Sequence, residues 1–229
     1  MKSTNSIIKL VDVTKEYLVA DKPTRVLNSI NLEIKQGEYA SILGVSGSGK
    51  STLMHIIGLL DVPTSGQVFI DNQDVAHLSD DQISTIRNQF VGFVFQQFNL
   101  IDKLSVLDNV LLPVQYARNK ITYNPKEKAE ELLSKFGLYD RRNYSPNRIS
   151  GGQQQRTAIA RALIMNPRLV LADEPTGNLD TKTGDEILDL IEDLNKDLGV
   201  TIILVTHEAD VAARTKRQIL IQDGQIKKP

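Results

Sequence analysis

The sequence predicts an α/β fold with a parallel central sheet, a small antiparallel β-subdomain near the N-terminus and an inserted helical subdomain. Four runs, YASIL (39–43), VGFVF (91–95), LVLA (169–172) and TIILV (201–205), are dense in aliphatic or β-branched residues and do not alternate, the pattern of strands buried on both faces. A stripe of helical period, Ile187, Leu190, Ile191, Leu194 and Leu198, joins the last two into a βαβ unit. The stretch from about Gln97 to Asn166 holds no convincing strand, which marks the helical insertion.

Each element has its own local reason. Residues 7–13, 30–34 and 67–70 are short β-type runs with Gln36-Gly37, Ser65-Gly66 and Asp71-Asn72 as nearby turns, and they make the small N-terminal sheet. LMHIIGLL (53–60) reads as a helix after the YASIL strand. Asn124 and Pro125 pair as N-cap and first helical residue, Ala129, Leu132, Leu133 and Phe136 form one face, and Gly137 stands where a helix ends in a left-handed turn. Ser150 caps a further helix carrying Thr157, Ala158, Ala162 and Met165, which Asn166-Pro167 stops.

Composition narrows the function. In 229 residues, 41% hydrophobic and 24% charged, there is enough apolar material for a sizeable core. The formal net charge of -1 disfavours nucleic acid as the main partner. Without cysteine there are no disulfides and no thiolate metal sites. The N-terminal MKSTNSIIKLVDV is unlike a secretory signal, and no apolar run approaches the roughly 20 residues a membrane span needs. If a membrane is involved, another chain is expected to cross it.

The chemistry starts at GVSGSGKST (44–52), which fits G-x-x-x-x-G-K-[ST] between a predicted strand and a predicted helix. Gly44, Gly47 and Gly49 let the backbone wrap an anion, with Ser46 and Ser48 between them and the helix dipole behind. Lys50 offers a cation to the β- and γ-phosphates, the Ser51 hydroxyl suits Mg²⁺, and Thr52 completes the motif. Farther on, RLVLADEP (168–175) leads an apolar strand into two carboxylates, with Asp173 able to reach the Mg²⁺ shell and Glu174 able to polarise water. Together these predict a phosphate-loop nucleoside-triphosphatase core. The expected division is a single domain, 1–229, with 1–96 and 167–229 as nucleotide-binding core and 97–166 as helical subdomain. Gln96 ends the VGFVF strand, where its amide can orient Mg²⁺ or water, and His207 ends TIILVT, where an imidazole can bond a γ-phosphate oxygen. Tyr17 lies outside the strand pattern, an exposed aromatic able to stack on a base.

These residues resemble the ATP-binding-cassette ATPases over essentially the whole chain. The phosphate loop, the glutamine, ISGGQQQR (149–156), the acidic strand, GNLD (177–180) and VTH (205–207) stand in that family's order. The resemblance implies ATP and Mg²⁺ as cofactors, Tyr17 as the adenine-stacking residue, Gln96 as the glutamine-loop residue, Glu174 as general base, His207 as switch histidine and Asp180 as a dimer-interface residue. Ile149 stands where the family usually has leucine, another apolar anchor. GFVFQQFNLI, IIGLLDVPTSG and ADEPTGNLD look like the macrolide-exporter and lipoprotein-releasing group, which also includes a cell-division cassette.

That group implies an ATP-bound homodimer on the cytoplasmic face of the membrane beneath an integral-membrane permease, sometimes with a periplasmic or extracellular adaptor, driving export or movement of an extracytoplasmic domain. The alternative is a cell-division cassette passing force to cell-wall hydrolysis without transport. The signature, Ser150, Gly151, Gly152 and Gln153, opens a helix, and a helix N-terminus is an anion site. The resemblance implies that it closes in trans over the ATP held by the partner's phosphate loop. Phe98, Leu100, Ile101, Leu104 and Val106 are expected to line a loop that receives a helix of the permease.

Overall fold

The computed structural model describes residues 6–227. In chain order its elements are β1 (Ser6–Val19), β2 (Lys22–Lys35), β3 (Tyr39–Leu43), α1 (Lys50–Ile57), β4 (Ser65–Ile70), β5 (Gln73–Asp74), α2 (Asp80–Phe90), β6 (Val91–Phe95), α3 (Val106–Gln115), α4 (Pro125–Lys135), α5 (Gly151–Leu163), β7 (Leu169–Asp173), α6 (Thr181–Leu198), β8 (Thr201–Thr206), α7 (Ala209–Ala213), β9 (Arg217–Gln222) and β10 (Gln225–Lys227), with single turns of 3₁₀ helix between some of them. The chain divides into two compact units, Met1–Ser84 with Gly199–Pro229, and Thr85–Leu198.

The first unit holds an antiparallel sheet in the order β2-β1-β4-β5. Its β1 and β2 are longer than their apolar runs, because hairpin pairing carries both strands on to Ala20 and Asp21, which turn the chain at φ 48 and 60. Irregular register in this pair accompanies positive φ at Asp12 and Ser29, where the Ser29 hydroxyl and the Asn31 amide both donate to the Asp12 carboxylate at 2.8 Å. Tyr17 therefore belongs to a strand, contrary to the expectation from its sequence surroundings.

The same unit contains β3, paired in parallel with β8 on one side and β9 on the other, with β10 returning antiparallel on β9. YASIL and TIILV are strands as predicted, and β3 and β8 are buried along nearly all their length. The β9-β10 hairpin and α7 carry no strong apolar pattern in the sequence; exposed residues alternate with buried ones along β9. The helix expected over 53–60 stops at Ile57, since the Gly58 amide bonds back to Met54 and Ile56 and Leu59 turns to φ 58.

In the second unit β6 and β7 pair in parallel, and α5 packs on β6 so closely that a Cβ on Gly92 would lie 2.4 Å from the Ala162 carbonyl oxygen. Helix α4 has the predicted ends: the Asn124 side chain accepts from the Lys126 and Glu127 amides, and Gly137 sits at φ 69. Of its predicted face, Ala129, Leu133 and Phe136 are buried and Leu132 half-buried. Along α6, Ile187, Leu188, Ile191 and Leu194 are buried, whereas Leu190 is half-buried and Leu198, the last residue of the helix, is 57% exposed. Helix α5 ends at Leu163, so Met165 lies beyond it. The apolar loop after Gln96 gives way to α3 at Val106, which is core rather than groove.

Two glycines separate strain from collision. At Gly137 nothing lies within 4 Å of an added Cβ, so Gly137→Ala should cost only the left-handed backbone penalty, about 1 kcal/mol. Gly92→Ala drives a methyl into backbone and should cost about 3 kcal/mol or more. Ala162→Gly should restore little of the latter in urea denaturation, because the colliding atom is the carbonyl oxygen.

Candidate nucleotide site and signature helix

In the first unit the loop after β3 is shaped by contacts that exclude side chains. A Cβ on Gly44 would lie 2.3 Å from the Ile221 carbonyl oxygen, and Gly49, at φ 105, would press on Leu27 Cδ2 at 2.9 Å. Gly47 holds φ 77 with open space around it. Helix α1 then starts at Lys50 with Gly49 as N-cap and no side chain bonding its first amides. Those amides and the dipole behind them form an anion-binding end. The Lys50 ammonium folds back over the loop, donating to the carbonyls of Gly44 at 2.8 Å and Val45 at 3.0 Å. Ser48 is buried, and its carbonyl accepts from the Gly224 amide at 3.0 Å, fastening the loop to the β9-β10 turn. Ser46 and Ser51 are exposed, Thr52 is half-buried, and His207 follows β8 directly and is exposed.

Tyr17 is held from behind. Its hydroxyl donates to Asp61 Oδ2 at 2.7 Å, while Lys15 Nζ bonds Asp61 Oδ1 at 2.6 Å and the Val62 carbonyl at 2.7 Å. The same ammonium stands 4.8 Å from the Tyr17 ring centroid. Burial, then the bond to Asp61, pushes the Tyr17 hydroxyl above its ordinary value. Burial also works to raise the Asp61 carboxyl, but hydrogen bonds from Lys15, Tyr17 and the Val62 amide outweigh it and hold the group below the usual carboxylate range. Neither Lys15 nor Asp61 was foreseen: Lys15 stands two residues before Tyr17, but its place on the same face follows only once both lie on β1, and Asp61, distant in sequence, carried no signal.

The second unit brings together the glutamine, the acidic strand and the signature. Gln96 follows β6; its carbonyl accepts from Asn178 Nδ2 at 2.9 Å, and a Cβ on Gly177 would meet its Nε2 at 2.6 Å. Asp173 ends β7, and Glu174 after it sits at φ 44, a conformation rarely taken by a residue preceding proline. The Gly177 amide closes the turn on the Glu174 carbonyl at 3.1 Å. Asp180 caps α6, its carboxylate accepting from the Thr183 amide at 3.1 Å; the side-chain bond from Thr183, then that amide, keeps it below the ordinary carboxylate range.

At the start of α5 Ser150 and Gln153 cap one another: the Gln153 amide donates to Ser150 Oγ at 3.3 Å and the Ser150 amide donates to Gln153 Oε1 at 3.0 Å. The glycines between them sit on the segment that follows the acidic strand. A Cβ on Gly151 would be 3.3 Å from Leu179 Cδ2, and one on Gly152 only 2.5 Å from Thr183 Cγ2. The other two glutamines turn away from this end. Gln154 donates to the Ile149 carbonyl at 3.3 Å, and Gln155, fully buried, donates to the Pro175 carbonyl at 2.6 Å. Gln155 and Asn178 are the residues sequence reasoning missed here. Spacing could have found Gln155, which shares the buried stripe of Ala158, Ile159 and Ala162.

The comparisons agree with this geometry. The ABC transporter family profile matches residues 27–177. The chain is 50% identical over 220 residues to the uncharacterized ABC transporter ATP-binding protein YknY of Bacillus subtilis, covering 96% of this chain and 95% of that one. It is 48% identical to the macrolide export ATP-binding/permease protein MacB of Chlorobaculum tepidum over 96% of its own length, yet spans only 33% of that longer relative. Among solved structures it resembles the ATP-binding cassette MJ0796 of Methanocaldococcus jannaschii in a dimeric, post-hydrolysis state bound to ADP and Pi, with TM-score 0.86, 46% identity and coverage of 96% and 97% of the two chains. A likeness of that extent and identity, carried by a site with these motifs in place, leaves one conclusion: the chain belongs to the ABC transporter family, as one of its ATPase domains.

Proposed function

We propose that the chain is the ATP-hydrolysing subunit of an exporter of the macrolide or lipoprotein-releasing kind, in which ATP closes a homodimer and hydrolysis reopens it. The observation that carries this is the presence of two glycine-opened helix ends in one chain, at α1 and α5. An ATP cradled by a phosphate loop leaves no room for a second helix end of the same chain, so the signature serves the ATP of a second copy. The dimeric form of the MJ0796 cassette, 47% identical to this chain, supports that arrangement. Closure then acts as a switch, because the closed pair binds ATP better than ADP.

In this reading Gly44, Ser46, Gly47, Ser48, Gly49, Lys50, Ser51 and Thr52 hold the triphosphate and Tyr17 stacks on the base. Glu174 takes the proton of the attacking water, His207 contacts the γ-phosphate, and Gln96 reports nucleotide state. Ser150, Gly151, Gly152 and Gln153 act in trans, with Asp180 at the dimer interface. The oxygen donors of Ser51, Asp173 and Gln96 suit Mg²⁺, and the exposed Ser51 hydroxyl at the start of α1 is open to such an ion. Bound there, Mg²⁺ supplies charge stabilisation for phosphoryl transfer. Residues 1–96 and 167–229 serve as the nucleotide-binding core in this reading, and 97–166 as the helical subdomain that carries the signature. Among the described residues no helix is long and apolar enough to cross a membrane. The MacB relatives name a permease within a longer chain, which supports an integral-membrane partner for this one, with the cassette on its cytoplasmic face and an adaptor beyond it. Phe98, half-buried, and Ile101, exposed, are the apolar residues offered to that partner.

Glu174→Gln should keep ATP binding, lower turnover by about 10² to 10⁴ and trap an ATP-bound dimer visible by size-exclusion chromatography. A variant that turns over normally or stays monomeric with ATP contradicts the proposal. Replacement of Ser150 and Gly152 should abolish hydrolysis, and mixing that variant with a Lys50→Ala variant should recover activity through one intact site per heterodimer; no recovery rules out sharing between chains.

The Tyr17 support predicts a pH dependence. Since the folded-state Asp61 carboxyl lies below its unfolded value, its stabilising contribution is complete above the ordinary carboxylate range and is lost as pH falls through the depressed value. Nucleotide affinity should weaken over that acidic window. In equilibrium binding titrations Asp61→Asn should bind more weakly at neutral pH and lose this acidic limb.

A further inference from the structure

We infer that Gln155 is a positioning residue for hydrolysis, fixing through the Pro175 peptide the strained turn that aims Glu174; this rests on the reading of Glu174 as general base. The side chain is fully buried, and its Nε2 donates to the Pro175 carbonyl at 2.6 Å and faces the Phe95 carbonyl at 3.5 Å. Both neighbours are acceptors, so the amide has only one favourable orientation. Its Oε1 is then left buried with no hydrogen-bond partner. Such an oxygen costs stability, whereas methionine fills a similar volume without that cost. What glutamine contributes at this position is the donor.

That donor closes a ring of contacts. Glu174, at φ 44, is followed by Pro175, and its carbonyl is bonded by the Gly177 amide. Asn178, next in the turn, donates to the Gln96 carbonyl, and Gln96 adjoins Phe95. Gln155 bridges the remaining gap, from the Phe95 carbonyl to the Pro175 carbonyl. A positive φ before proline persists only when its surroundings over-determine it. Removing the Gln155 donor frees one side of the turn, and the 174–175 peptide relaxes toward extended backbone, carrying the carboxylate from its aim. Because Gln155 lies in the same helix as the signature, a shift of α5 when that helix end engages nucleotide reaches Pro175 through a single side chain.

The test uses the full chain with Gln155→Met, Gln155→Leu, Gln155→Glu and Glu174→Gln. The methionine variant should lose kcat by about 10- to 100-fold with KM within about twofold, and Tm should move by only a few degrees, because removal of the unpartnered Oε1 offsets the loss of the donor to the Pro175 carbonyl. A glutamic acid can donate to Pro175 only while protonated, so for Gln155→Glu the ratio of kcat to that of the unsubstituted chain should rise as pH is lowered from about 9 to about 6.5. Methionine and leucine variants with kcat within twofold of the unsubstituted chain overturn the inference, as does a loss of kcat that merely follows a loss of Tm. If Glu174→Gln is inactive while Gln155→Met is fully active, the base assignment stands and the positioning role falls. If Glu174→Gln turns over normally, the base assignment falls and the positioning role falls with it.

Discussion

An α-helix begins with amides that no carbonyl of its own can satisfy, and both glycine-rich motifs of this chain leave part of that deficit in place. They differ in how much of it remains. At α1 the N-cap is a glycine without a side chain to offer, so the first amides stay open. At α5 the Ser150 hydroxyl takes the Gln153 amide, and the reciprocal bond from the Ser150 amide to Gln153 Oε1 fixes the cap, which leaves the two glycine amides between them. An open end suits a polyphosphate that must be enclosed. A half-satisfied, rigid end suits a contact that must form and break in each cycle.

The glycines follow from the same requirement, but for different physical reasons. Gly47 and Gly49 are needed for their left-handed φ, which turns successive amides inward. Gly44 and Gly152 are needed because their neighbours leave no space: backbone of β9 at the first, the first turn of α6 at the second. Lys50 completes the loop by bonding the carbonyls of Gly44 and Val45, so the loop's own acceptors place its cation. Tyr17 is placed in the same manner, by a charge pair behind its ring whose partners are 46 residues apart in the chain.

The legible parts of the molecule were those in which local chemistry decides the structure. Asn124-Pro125 and Gly137 bound a helix wherever they occur with an apolar face between them, and the strands of 39–43, 91–95, 169–173 and 201–206 are too apolar to lie elsewhere. The illegible parts depend on pairing. The outer ends of β1 and β2, residues 17–19 and 22–25, are exposed, with no alternation to read, and exist because each has the other. That is why Tyr17 looked like a loop residue. Likewise β9 is set by β3, whose register it follows from Ala40 to Leu43. In the site, motif residues were readable because their chemistry is local to the motif. Asp61 and Asn178 were not, and of Gln155 the spacing shows only that it faces inward, because each acts on a residue brought near by the fold.

The three consecutive glutamines show how such roles can hide within a motif. One side-chain type, repeated on a helix that turns about 100° per residue, must face three directions. Gln153 caps the helix end, Gln154 bonds backward to the Ile149 carbonyl, and Gln155 faces inward to the Pro175 carbonyl. An amide can serve all three because it both donates and accepts without charge. A lysine or glutamate at the inward position would bring a charge into a buried site, and a leucine would leave the Pro175 carbonyl without its donor. The signature therefore has two ends in physical terms: a polar end built to meet an anion and a buried side chain tied to the turn of Glu174. One helix carries both, so under the proposed roles a displacement of the first would reach the second through Gln155.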